Sequence, residues 1–112
     1  MKASGDQAEA AAERYLAARG LRMVARNWRC RFGEIDLICT DGAVLVFVEV
    51  RRRASQQFGG AAASITNHKQ ARLVAAAQHY LATLARQPAC RFDAVLFEGD
   101  AHISWLKNII QL

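Results

Sequence analysis

Two acids stand in segments that should otherwise be apolar. Asp36 lies in Gly33-Glu34-Ile35-Asp36-Leu37-Ile38, and Glu49 in Val46-Phe47-Val48-Glu49-Val50-Arg51. Both segments are rich in Val, Ile and Leu and read as strands joined by the turn signal Asp41-Gly42. Side chains alternate across a strand, so Glu34, Asp36 and Ile38 are expected on one face, with Ile35 and Leu37 on the other. In the second segment Phe47, Glu49 and Arg51 share a face opposite Val46, Val48 and Val50. A carboxylate in a buried strand is costly unless it is paired, hydrogen-bonded or bound to a metal. Two of them on adjacent strands repel unless a cation sits between them. Oxygen ligands on rigid strands suit a hard divalent ion such as magnesium or manganese.

The elements that must position these acids are legible around them. Residues from about Asp6 to Arg19 read as a helix, with Ala8, Ala11, Ala12, Tyr15 and Leu16 at helical spacing and Gly20 placed to end it. Ser4 or Asp6 is the expected cap. Leu21 to Cys30 reads as a strand, Glu34 to Thr40 as the next, and Ala43 to about Arg52 as the third, the three forming an antiparallel meander. Ala54 to Thr66, with Gly59-Gly60 inside it, reads as a loop. A helix is expected from Asn67 to Arg86, stopped by Gln87-Pro88, with Leu73, Val74, Ala77, Leu81 and Leu84 as its apolar stripe. Arg91 to Phe97 and His102 to about Lys107 read as strands, the last at a sheet edge. The order α-β-β-β-α-β-β predicts an α/β fold with one mixed five-stranded sheet flanked by helices.

Bulk composition narrows the class. The 112 residues fit one domain spanning 1–112, and 53% hydrophobic content supports a packed core. No apolar run approaches the ~20 residues of a membrane span, and acids in the first helix speak against a secretory leader. Three dispersed cysteines, Cys30, Cys39 and Cys90, have neither a CxxC nor zinc-spaced histidines. They read as reduced thiols, which points to the cytoplasm. The net charge is +5, and seven arginines fall between residues 22 and 53. Clustering of that kind suits a phosphate-rich partner, although a solvated basic surface accounts for it equally well.

The chain resembles the YraN family of small, endonuclease-like bacterial proteins nearly end to end. The resemblance runs through Gly5, Glu9, Gly20, Asn27, the string Gly33 to Ile38, Phe47-Val48-Glu49-Val50-Arg51, Arg53, Gly59, Lys69, Tyr80-Leu81 and Arg91-Phe92-Asp93. That family is similar to the PD-(D/E)xK superfamily of restriction enzymes and Holliday-junction resolvases. The similarity implies a restriction-endonuclease-like core and a magnesium- or manganese-dependent nuclease site acting on DNA, branched or single-stranded. By position it implies metal ligation by Asp36 and Glu49, a catalytic cation at Arg51, and a further catalytic acid, Glu9, from the first helix. Lys69 takes the place of a phosphate contact, with Arg52, Arg53 and Arg72 as further cations along a nucleic-acid backbone. Cutting a junction symmetrically needs two sites, so a homodimer is compatible with this reading.

Arg51 departs from the superfamily pattern, which has lysine there. Lysine can lose its proton when buried, whereas arginine effectively cannot, so position 51 is unable to act as a general base. Its planar fork still suits a phosphate. Plainer readings stand beside the catalytic one. Asp36 could pair with Arg51 as a structural ion pair, and Glu49 with Arg51 or Arg53. Glu34 reads as a rim acid or the partner of an arginine. Trp28, Trp105 and Tyr80 read first as core or core-edge residues, and His68, His79 and His102 carry no ligand role. Asp93 fits either the support of the last part of the sheet or the neighbourhood of the site. Two further function classes follow: a module of the same fold that binds nucleic acid without cutting it, and an accessory interaction protein.

Overall fold

A computed structural model describes residues 3–53, 66–99 and 102–110, with the backbone alone for residues 3–6 and 53. The predicted Ala54–Thr66 loop, with Gly59-Gly60, falls outside them except for Thr66. Helix α1 runs Ala3–Ala17 and is followed by strands β1 (Arg22–Cys30), β2 (Gly33–Asp41) and β3 (Val44–Arg53). Helix α2 (Asn67–Leu81) and strands β4 (Cys90–Glu98) and β5 (His102–Leu106) complete the order. The sheet has five strands in the order β1-β2-β3-β4-β5, with β3 and β4 parallel and every other pair antiparallel. A parallel pair needs a crossover, and α2 lies within it. This is the mixed α/β arrangement that the sequence predicts.

Each helix covers one face. Ala8, Ala12 and Leu16 of α1 recur every four residues and pack with Leu37, Cys39, Val46, Val48, Val50 and Val95. Leu73, Ala76 and Ala77 of α2 pack with Ile35, Ile38, Leu45, Phe47 and Phe92 on the other face. Val46, Val48 and Val50 therefore oppose Phe47, as alternation requires. In β2 the alternation breaks: Ile35 joins the cluster of Ile38, and Leu37 that of Cys39. The break falls at Asp36. The paired residues of β2 and β3 run from Asp41↔Val44 to Leu37↔Val48. Beyond that point the Asp36 carboxylate reaches across and accepts the Val50 N–H at 2.9 Å.

Turn chemistry explains most of the boundaries. Gly20 takes φ 96° after α1, the Leu21 N–H reaches Leu16 O at 3.1 Å, and the Gly20 N–H reaches Ala17 O at 3.1 Å. Leu21 then packs in the cluster of Leu16, which completes a Schellman-type stop. Helix α1 begins at Ala3, ahead of both expected caps. The β2–β3 turn is one residue later than expected, with Asp41 paired to Val44 and Gly42 at φ 61°. Helix α2 is capped by Thr66, whose hydroxyl accepts the Lys69 N–H at 3.3 Å. The helix stops at Leu81, five residues short of the expected Arg86. The reason is local: Thr83 and Leu84 N–H groups turn back to Tyr80 O and Leu81 O, while Thr83 Oγ1 and Gln87 Nε2 donate to the same two carbonyls. The outer strand β1 exposes Arg22, Val24, Arg26 and Arg29 along its length.

Candidate active site

Where β2 and β3 part, a cavity of about 430 Å³ opens between the N-terminal half of α1 and the start of α2. Its wall holds Glu9, Glu34, Asp36, Glu49, Arg51, Arg52, Lys69 and Arg72. Every residue that the sequence proposed for catalysis or backbone binding, and whose side chain is described, thus meets at one place. Arg53 is the exception, since its side chain lies outside the described residues.

The strands bring the two acids in from the same side. Asp36 projects from the broken edge of β2, and Glu49, 8% exposed, projects from β3. Burial is the main force on both, raising the Asp36 carboxyl from its usual 3.8 to about 7, and the neighbouring Glu49 charge pushes it the same way. The Val50 N–H and Arg51 pull only part of this back. Glu49 is also raised, first by burial, against the opposing attraction of Arg51. The Asp36 side chain pulls the Glu49 carboxyl back down in turn. Glu9 reaches in from α1, and burial followed by the Asp36 charge raises it too.

Arg51 bonds to Glu49 in an ion pair. The alternative of an Asp36–Arg51 pair is therefore not adopted, and the Glu49–Arg51 alternative is. The pairing leaves Arg51 Nε buried without a hydrogen-bond partner. Glu9 Oε1 is a second buried polar atom left without a hydrogen-bond partner. Lys69 acts electrostatically on Glu49 from the first turn of α2.

The donor set fits a hard divalent ion in kind. It offers carboxylate oxygens, one of them orphaned, and an Asp36 carboxyl raised to about 7 by burial and by its Glu49 neighbour. The geometry is not that of a finished ion cage: among the described residues no group of three or more His, Cys, Asp or Glu side chains is arranged to hold a metal. Arg51 and Lys69 already supply positive charge to Glu49, so an ion binding there would have to compete with them.

Other residues fall into place as support. Glu34 pairs with Arg29 at 3.0 Å, in keeping with its reading as the partner of an arginine. Trp28 packs edge-on against Tyr80, with centroids 5.2 Å apart, and Tyr80 in turn against Phe47. Asp93 resolves toward the sheet. It is fully buried and accepts from Arg91 Nε at 3.0 Å, Trp105 Nε1 at 3.0 Å and Asn108 N at 2.9 Å. Sequence reasoning missed the part of Asn27. This residue takes φ 57° between the pairs Arg26↔Leu37 and Trp28↔Ile35, and its side chain works against burial to pull the Glu9 carboxyl down. The available signal was an asparagine inside a strand, since Asn tolerates the left-handed region better than most residues. No helix among the described residues is long and apolar enough to cross a membrane.

Comparison with known proteins places the chain. It is 54% identical over 110 residues to a UPF0102 protein of Nitrosospira multiformis, covering 96% of this chain and 92% of the relative. A UPF0102 protein of Cupriavidus taiwanensis is 57% identical over 109 residues, covering 96% of this chain and 82% of that one. A third, from Nitrosomonas eutropha, is 52% identical over 107 residues, with 96% and 92% covered. The sequence profile of UPF0102, described as an uncharacterised protein family, matches residues 8–97. The chain belongs to UPF0102, the YraN family that its strand motifs resemble.

Proposed function

We propose that this protein is a divalent-metal-dependent phosphodiesterase of the endonuclease type, acting on DNA. The observation that carries the reading is the convergence of Glu9, Asp36 and Glu49 on one cavity rimmed by Arg51, Arg52, Lys69 and Arg72. A buried acid and two half-buried ones in one cavity, all with raised pKa values, point to a functional site. A magnesium or manganese ion, when bound, polarises the phosphodiester and lowers the pKa of a water. The chain's own groups divide the remaining work. Asp36 and Glu49 hold the ion, and Glu9 offers a further oxygen. Once released by Glu49, the Arg51 fork faces the phosphate and stabilises charge that builds on its oxygens. Lys69, Arg52 and Arg72 hold the flanking phosphates.

The Glu49–Arg51 pair favours a second reading, in which the same cavity binds DNA and does not cut it. Arginine satisfies Glu49 without any metal, and it cannot take a proton from water. Calorimetric titration with magnesium or manganese separates the two. The nuclease gives a saturable heat that disappears in Asp36→Ala and Glu49→Ala, and metal-dependent nicking of forked, junction or single-stranded DNA. Metal-independent binding with no cleavage selects the binding module. Arg51→Lys returns a group able to lose its proton. At least a tenfold gain in cutting is the expected outcome, following the usual worth of a general base.

A further inference from the structure

We infer that the β1–β2 turn is a base-stacking tip, with Phe32 taking an unpaired nucleobase beside the scissile phosphate. The inference rests on the reading of the carboxylate cavity as a phosphodiester site. Phe32 is 37% exposed, and it occupies a two-residue turn between Cys30 and Gly33. Turn positions favour Gly, Asn, Asp, Pro and Ser for backbone reasons that phenylalanine does not meet. Contacts with His79 and Arg31 cover part of the ring, and what stays open is aromatic surface beside a polar, cation-rich cavity.

The tip is fixed in place. Gly33 leaves the turn at φ 150°, and Arg72 Nε donates to Phe32 O at 3.3 Å. The ring meets His79 edge-on at 5.7 Å, and Trp28 backs His79 at 5.9 Å. Both anchors of the tip, Gly33 and Arg72, also line the acid cavity. The guanidinium carbon of Arg31 lies 4.9 Å from the Phe32 ring centroid. A nucleobase stacking on Phe32 would take the ring face away from Arg31, and phosphates on both sides of it would face Arg31 and Arg72.

Paired bases inside a duplex are already stacked and offer no free face. The tip therefore selects DNA with an unpaired base next to a duplex: a fork, a junction or a gap. A flat hydrophobic protein partner fits less well, because the ring stands among cations and the neighbouring cavity is polar.

The test is binding, read apart from cleavage. Labelled forked DNA and a blunt duplex of equal length are titrated by fluorescence anisotropy, in EDTA and again with calcium. The fork carries 2-aminopurine at its first unpaired position. Wild type is expected to prefer the fork and to quench the 2-aminopurine. Phe32→Ala is expected to lose about tenfold in fork affinity, the order of one lost base–aromatic stack, with no change toward blunt duplex. Phe32→Trp restores both preference and quench. Equal losses toward both DNAs, or no loss, overturn the stacking tip while leaving the cavity's function standing. Failure of wild type to bind either DNA at low salt overturns both.

Discussion

Asp36 has its charge withheld by burial, its lone pair engaged by the Val50 N–H at 2.9 Å, and Glu49 as its neighbour. Its folded pKa of about 7 is far above the ~3.9 of an unfolded chain. Below about pH 4 both states keep the proton, and the stability linked to this carboxyl is fully present. As pH rises toward 7 only the unfolded state releases it, so stability falls, and above about pH 7 the loss is complete, on the order of a few kcal/mol. In metal-free buffer Asp36→Asn is expected to show a shallower decline, with what remains coming from Glu49 and Glu9. At pH 8 it should melt above wild type, and a Tm series from pH 4 to 9 reads the difference. Magnesium at pH 8 should raise the wild-type Tm and leave Asp36→Asn unmoved. Asp36 and Glu49 are legible in sequence because an acid amid Val, Ile and Leu has few innocent explanations. Glu9 is not legible that way, since acids early in a helix favour its dipole anyway. Only the resemblance marks Glu9, and only three dimensions connect it to Asn27.

Elements are legible where periodicity is clean and fail where side chains compete with backbone. Strand β3 alternates as its sequence predicts, because both its faces are covered. Strand β2 does not, because the Asp36 carboxylate takes over a backbone bond that periodicity assigns to the ladder. The end of α2 is misplaced for the same reason: Thr83 and Gln87 bond the last carbonyls before Pro88 has any say. The β1–β2 turn yields a prediction at this scale. Gly33 sits at φ 150°, and a Cβ there would meet Arg72 at 3.5 Å, an ordinary contact. Strain, and not crowding, is thus the penalty. Gly33→Ala should lose about 1–3 kcal/mol in urea unfolding, the usual cost of a backbone conformation reserved for glycine.

The molecule as a whole separates a site from its foundation. Asp93 gathers Arg91, Trp105 and Asn108 around one buried carboxylate, tying β5 and the segment after it to β4. Asp93→Ala strands those donors and should cost on the order of 3–5 kcal/mol by urea denaturation. Whatever fraction stays folded should keep its magnesium heat, because Asp93 is not part of the acid cavity's wall. The order of elements is legible at this scale because strand spacing and turn signals are local. The part played by Asp93 is not, because its partners lie up to fifteen residues away.

The outer strand β1 has a consequence of its own. An open strand edge invites pairing with any other extended chain, including its own copy. Here Arg22, Arg26 and Arg29 stand exposed along it, Arg26 paired to Glu13 and Arg29 to Glu34, so a second copy lying along this border would have to accommodate three long side chains and two ion pairs. Charged side chains spaced along an open border of this kind work against strand-to-strand pairing there.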